Sequence, residues 1–285
     1  YVATECGLYR SVDGGQNWNR LGNAVLPAGT VNSVQAYRTS DQVWITIEGQ
    51  GVWWSGDAGA TWSARNAGIP LSNGALQTFN VTVPPSTNIP LVMVEGQGIY
   101  RFSAPGYSGT WVAQNSGIAA PTKGFQGGIN APGDGYLYVS VDGYGIYKGT
   151  ISGTGAFAWS TWGSSATQLP RLRVRPPYLV EGVYYVPTAQ GIYRSSDSGV
   201  SFTAHKTGLP GGYTINSVTD PTNPNVVYAV ADTVYKSTDG GSTWAVSDSG
   251  ITSSILGGQR GDSGNITISA SGELYVGTAN DGIFK

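Results

Sequence analysis

A three-residue phrase, Gly–aliphatic–aromatic, returns seven times along this chain at a nearly constant interval. It reads Gly7-Leu8-Tyr9, Gly51-Val52-Trp53, Gly98-Ile99-Tyr100, Gly145-Ile146-Tyr147, Gly191-Ile192-Tyr193, Thr233-Val234-Tyr235 (with Thr in the Gly place) and Gly282-Ile283-Phe284. The aromatic positions 9, 53, 100, 147, 193, 235 and 284 are separated by 44, 47, 47, 46, 42 and 49 residues. A unit of this size built from short strands cannot bury both of its faces alone, so successive units must pack on one another.

Residues 214–250 display one unit in full. Thr214–Thr219 reads as a strand ended by Asp220-Pro221, Val226–Val230 as a second, Thr233–Lys236 as a third, and the residues after Trp244 as a fourth. We label these strands A to D, counted outward from the middle of the fold. Composition agrees: 43 Gly and 26 Trp plus Tyr stand against only 11 % charged residues, a turn-rich and aromatic-rich balance that disfavours helices. The expected fold class is therefore all-β, a seven-bladed β-propeller of about 46-residue four-stranded repeats. The chain is expected to be a single propeller over residues 1–285. The first repeat begins at strand B and the last stops at strand C, so strand A of the first blade and strand D of the last are expected to be absent. Unpaired edges of this kind invite pairing with another chain, and self-assembly into a homo-oligomer is one expectation.

The turn between strands C and D carries a second signature. Ser11-Val12-Asp13-Gly14-Gly15-Gln16-Asn17-Trp18 is echoed by Ser55–Trp62, Ser195–Phe202 and Ser237–Trp244, all of the form Ser-x-Asp-x-Gly-x-[Thr/Ser/Asn]-aromatic. The carboxylate of Asp13, Asp57, Asp197 or Asp239 can accept backbone N–H bonds across the turn, and the Gly allows a positive φ. These four aspartates are expected to be structural staples. The third and fourth repeats keep only Thr110-Trp111 and Ala158-Trp159.

This motif is the Asp-box, or BNR repeat, and the chain resembles the Asp-box propellers over essentially its whole length. That group includes sialidases, xyloglucanase-type glycoside hydrolases, the sortilin luminal domain and photosystem II assembly factors. The resemblance implies the fold; function does not follow, because the same scaffold hosts many activities.

Candidate chemistry gathers in the B–C turns, which precede each repeated phrase. Six of the seven carry a carboxylate: Glu5, Glu48, Glu95, Asp142, Asp232 and Asp281. The topology predicts that B–C turns and D–A crossovers share one face and that the Asp-boxes lie on the other. Asp before Gly is ordinary turn chemistry, whereas Glu is not a preferred turn residue and occurs three times, which favours ligand contact. No cofactor is expected. Ca2+ is the one metal these turns would admit, although they lack dense Asp-x-Asp spacing. Trp53 and Trp54 are further candidates: as neighbours on a strand they point to opposite faces, and an indole stacks well on a sugar ring.

For an enzyme, the resemblance to xyloglucanase-type propellers implies a catalytic Asp in a B–C turn after Tyr-x-x-Thr. Tyr1-Val2-Ala3-Thr4-Glu5 is similar, with Glu5 in that place, and Asp262 is the other carboxylate in a long crossover. Two carboxylates about 6.5–9.5 Å apart would serve inverting hydrolysis. A sialidase would need an arginine triad from separate blades. Here Arg171, Arg173 and Arg175 fall on one strand. The lone His205 and the lone Cys6 support neither a transition-metal site nor an internal disulfide. Net charge is −2 without a basic stripe, so nucleic acid is not an expected partner. No apolar run approaches the ~20 residues that would insert in a membrane. The expectation is an extracellular or cell-surface binding propeller that offers an acidic, aromatic face to a polysaccharide or protein, with glycoside hydrolase as the alternative.

Overall fold

The computed structural model describes residues 1–22, 24–36, 40–84, 87–103, 109–119, 128–151, 156–163, 169–170, 174–210, 216–251, 266–278 and 281–285. Among these there is no helix. The strands form seven antiparallel sheets taken in strict chain order, the blades of a β-propeller fold. The first is β1 (Val2–Thr4), β2 (Gly7–Arg10) and β3 (Asn19–Arg20). The second is β4 (Val31–Ala36), β5 (Val43–Ile47), β6 (Gly51–Ser55) and β7 (Ser63–Ala64). The third is β8 (Thr78–Thr82), β9 (Leu91–Val94), β10 (Gly98–Phe102) and β11 (Trp111–Ala113). The fourth is β12 (Gly128–Asn130), β13 (Leu137–Val141), β14 (Gly145–Ile151) and β15 (Phe157–Trp162). The fifth is β16 (Tyr178–Val180), β17 (Val183–Thr188), β18 (Gly191–Ser195) and β19 (Thr203–His205). The sixth is β20 (Asn216–Asp220), β21 (Asn223–Val230), β22 (Val234–Ser237) and β23 (Ala245–Val246). The seventh is β24 (Ile266–Ile268), β25 (Leu274–Gly277) and β26 (Ile283–Phe284). Five sheets have four strands; the first and the last have three among the described residues.

Two compact units are distinguished: Tyr1–Val141 with Tyr147–Ser160, and Asp142–Ile146 with Thr161–Lys285. In the first unit the core lies in seams between consecutive sheets. Leu8, Val43, Ile45 and Trp62 fill the seam of sheets one and two. Trp44, Val92, Phe102 and Trp111 fill the next, and Met93, Ile99, Val139 and Trp159 the third. A B strand is therefore packed on both faces, which is why Val43-Trp44-Ile45-Thr46-Ile47 shows no polar alternation and is buried throughout. Each such aliphatic or aromatic side chain withdrawn from water contributes about 1.5–3 kcal/mol. In the second unit Tyr185, Val227, Ala229 and Trp244 form one seam, and Val230, Val234, Ile266 and Val276 another.

The Asp-box turns form as their residue types require. In the second sheet Asp57 Oδ1 accepts the Thr61 amide (2.8 Å) and Asp57 Oδ2 the Thr61 hydroxyl (2.6 Å), while Ser55 Oγ donates to Oδ1 (2.8 Å) and accepts the Gly59 amide (2.8 Å). Trp62 Nε1 closes the turn on Gly59 O (3.0 Å). Asp13, Asp197 and Asp239 repeat the carboxylate bonds. Hydrogen bonds from the residue four places on, then from the Ser two places back, hold all four carboxyls down to about 2.

Strand bounds differ modestly from expectation. The B strand of the sixth sheet starts at Asn223 rather than Val226. In the fifth sheet the A strand is Tyr178–Val180. Val174 reaches Thr188 through a separate bridge, and Arg175 lies between the two, its amide bonded to Pro187 O. Arg171 and Arg173 lie outside the described residues.

Candidate functional site

The B–C turns are short because two backbone groups must reverse direction immediately before the repeated phrase. In the second sheet Gly51 meets that demand with φ +80°. Its missing side chain also makes room: a Cβ there would lie 2.3 Å from Asn66 Oδ1. Asn66 comes from the crossover after strand D. Its Oδ1 accepts the Val52 amide (2.7 Å) and its Nδ2 donates to Gln50 O (3.1 Å), so one carboxamide clamps both limbs of the turn. Asn115 clamps the third sheet's turn in the same way, accepting from Ile99 N (2.8 Å) and donating to Gln97 O (2.9 Å). From the other side the A strand's entry holds the turn, with Glu48 N on Thr30 O and Glu95 N on Gln77 O, each 2.9 Å.

Glu48 and Glu95 therefore stand exposed on turns fixed at both shoulders, beside the D–A crossovers and at the opposite end of their sheets from the C–D turns. Glu5 is exposed on the first sheet's turn. There Thr4 Oγ1 accepts the Cys6 amide (3.1 Å) and donates to Gly7 O (2.8 Å).

In the second unit the turns differ. Asp142 is half-buried. Asp232 is exposed but internally committed, accepting the Tyr235 hydroxyl (2.9 Å) and the Thr233 amide (3.0 Å). Here Thr replaces the usual Gly, and the clamp becomes Thr233 Oγ1 donating to Asp248 Oδ2 (2.9 Å). Asp281 is exposed, its amide bonded to Thr278 Oγ1 (3.2 Å). Asp262 lies outside the described residues.

Trp53 and Trp54 do point to opposite faces, and both are half-buried. Trp53 packs on the seam of sheets one and two. Trp54 leans on Trp44 (centroids 6.3 Å apart) beneath the Arg65 guanidinium (5.0 Å). Trp44 and Trp162 are core: Trp162 meets Tyr184 and Phe202 edge-on, each at 5.1 Å. His205 is held below its ordinary value by burial and then by neighbouring Arg194. Among the described residues no three His, Cys, Asp or Glu side chains converge as a metal site requires, and no helix is long and apolar enough to cross a membrane.

The clamping residues Asn66, Asn115 and Asp248 were not anticipated from the sequence. Their signal is nonetheless present: Asn66-Ala67-Gly68-Ile69, Asn115-Ser116-Gly117-Ile118, Lys206-Thr207-Gly208-Leu209 and Asp248-Ser249-Gly250-Ile251 recur at the same distance past each strand-D aromatic.

No family model matches the chain, and none of the curated proteins matches it. Solved structures do. A GH74 xyloglucanase from Xanthomonas campestris superposes with a TM-score of 0.71 at 16% identity, over 99% of this chain and 49% of the enzyme. YCF48 bound to a D1 peptide gives 0.66 at 18% identity, over 96% of this chain and 83% of that one. An extracellular domain described as part of a hybrid two-component system from B. thetaiotaomicron gives 0.67 at 14% identity, over 99% of this chain and 37% of its own length. The chain thus spans less than half of the xyloglucanase and of the extracellular domain, but most of YCF48. At these identities the likeness is one of fold. It agrees with the Asp-box propeller resemblance read from the repeated turns.

Proposed function

We propose that this chain is an extracellular binding propeller that uses its B–C turn end to engage a polysaccharide or a protein, without turnover. The observation that carries this reading is the stiffness of the acidic turns. Glu48 and Glu95 project from turns whose geometry an asparagine clamp and the neighbouring A strand both hold. A side chain displayed on a preorganised turn loses less entropy on binding than one on a free loop. Exposed carboxylates suit sugar hydroxyls or basic side chains. The fold neighbours are compatible with either partner, since one is a xyloglucanase and another holds a bound peptide.

The test is retention of the purified chain on a panel of immobilised polysaccharides and candidate proteins, alongside an assay for released reducing ends. Retention without release, weakened in the Glu48→Gln/Glu95→Gln double variant, is expected. Release of reducing sugar that disappears in Glu5→Gln or Asp262→Asn would instead make the chain a glycoside hydrolase. Concentration-dependent oligomers with no retained ligand would make it a self-assembling subunit joined through sheet edges.

A further inference from the structure

Between the second and third sheets the crossover folds into a small hairpin, and its tip carries the chain's one Asn-Gly step, Asn73-Gly74. Ser72 N donates to Ala75 O (2.8 Å) and Ala75 N to Ser72 O (3.0 Å). Both tip residues are exposed and left-handed, with φ +52° and +79°, the two-residue turn that suits Asn-Gly. The hairpin stands against the acidic turns. Leu76 N donates to Gly49 O (3.4 Å), and a Cβ built on Gly96 would lie 3.9 Å from Ser72 Oγ. Glu48 and Glu95 each come one residue before those glycines. Asparagines elsewhere are committed. Asn66 and Asn115 use both ends of the carboxamide. Asn130 and Asn216 hold the following amide on their own Oδ1, each at 2.9 Å. Asn223 precedes Pro224, which has no N–H. Asn73 differs: among the described residues its carboxamide and the Gly74 amide take no hydrogen bond, and a Cβ on Gly74 would meet nothing within 4 Å.

We propose that Asn73 is a site of spontaneous deamidation, which converts it to isoaspartate and aspartate and adds a negative charge between the Glu48 and Glu95 turns. The Gly74 nitrogen gives its proton to hydroxide and attacks Asn73 Cγ. The N–Cγ bond forms, the Cγ–Nδ2 bond breaks, and ammonia departs to leave a succinimide. Water then opens the ring. Cleavage at Cγ gives aspartate, and cleavage at the main-chain carbonyl gives isoaspartate. The balance is amide plus water to carboxylate plus ammonium, with no oxidant or reductant. Glycine matters here because no side chain crowds the attacking nitrogen. Attack requires Asn73 to leave its left-handed position so that Cγ can meet that nitrogen. Only the Ser72–Ala75 pair of bonds resists, on an exposed loop end where local opening costs little. The carboxylate formed is ionised at neutral pH. Isoaspartate also routes the main chain through Cγ, so the turn gains a backbone atom and the Ser72–Ala75 pairing is lost. The chemistry holds whatever those turns bind.

The experiment ages the whole chain in mildly acidic and mildly alkaline buffer and maps its peptides by mass spectrometry, with isoaspartate counted by enzymatic methylation. Acid in place of amide should accumulate at Asn73 at least about tenfold faster than at Asn66 or Asn115, because a clamped carboxamide must first break its hydrogen bonds. The alkaline sample should convert faster, since the attacking nitrogen must lose its proton. Isoaspartate should exceed aspartate at this position. An Asn73→Gln chain, whose longer side chain must close a larger ring, should stay unmodified there. Conversion at Asn73 no faster than at Asn66 and Asn115 would overturn the proposal. So would aspartate as the sole product, a rate that does not rise with pH, or equal conversion in Asn73→Gln.

Discussion

A carboxylate that accepts several hydrogen bonds is hard to protonate, and four such groups repeat through this chain. Asp13, Asp57, Asp197 and Asp239 sit at about 2 against an ordinary value of 3.8. A lowered native value means the unfolded chain takes the proton first. The stabilisation is thus complete above about pH 3.8 and is lost as pH falls towards 2. His205 is also lowered, by burial first, so it adds a loss beginning below its ordinary 6.5. In a His205→Gln background, thermal midpoints should be flat from pH 7 to about 5 and drop steeply between about 4 and 2. Replacing the four aspartates by Asn should lower the pH 7 midpoint and flatten that drop. A decline in the parent centred near pH 5 to 6 would mean other groups dominate. The neutral clamp makes a separate prediction. Asn66→Ala orphans the Val52 amide and Gln50 carbonyl, at a cost of about 1–3 kcal/mol in denaturant unfolding. Asn115→Ala should match it within the scatter of such measurements. A loss under a few tenths of a kcal/mol would show that water replaces the carboxamide at no cost.

At the scale of elements, the weakest pieces are the D strands, two or three residues long in several sheets. Their attachment comes from the aromatic just before or within them. Trp111 N donates to Ala67 O (2.8 Å), Trp159 N to Ser116 O (3.0 Å) and Trp244 N to Thr207 O (2.9 Å), each tying a D strand to the crossover that follows the previous sheet. The approach is close enough to need glycine: a Cβ on Gly117 would fall 2.0 Å from Trp159 O. The indoles are not equal, however. Trp111 Nε1 donates to Arg65 O (2.6 Å) and Trp159 Nε1 to Gln114 O (2.7 Å), whereas Trp244 Nε1 is enclosed with no hydrogen-bond acceptor among the described residues. Trp→Phe at 111 or 159 strands a carbonyl as well as removing apolar volume; at 244 it removes an unsatisfied donor. The first two should cost about 1 kcal/mol or more beyond the third in chemical denaturation. Equal losses would put the whole effect on packing. The sequence pattern located these aromatics in six of the seven repeats. The bonds that distinguish them are invisible to it, since a tryptophan is spelled the same with or without an acceptor.

At the scale of the molecule, legibility follows periodicity. The seven sheets, their A-to-D order and the Asp-box turns could be read because each recurs with the same residue types at the same spacing. The asparagine clamps recur too, but Asn-x-Gly also reads as plain turn propensity, and only the bond to a turn sixteen or eighteen residues away reveals its role. In the first sheet the clamp is missing, since Gly22 stands where the second sheet has Asn66 and the Leu26 side chain fills the space beside it. The same logic of repetition predicts where the fold is most protected. B strands β5, β9 and β13 are buried at every residue, and β5 and β9 each lie between two seams. Strands β24 to β26 have only Ile266 and Val276 buried. Amide exchange is governed by the free energy of the opening that exposes each bond, and dense two-sided packing raises it towards the global value. Hydrogen exchange read by mass spectrometry should therefore leave Val43–Ile47, Leu91–Val94 and Leu137–Val141 as the last peptides to label. Leu274–Gly277 should label earlier by at least about tenfold, equivalent to a gap of 1.4 kcal/mol in opening free energy. Uniform labelling across all of these strands would mean that the whole fold opens as one body, and that the uneven packing of its seams carries no energetic weight.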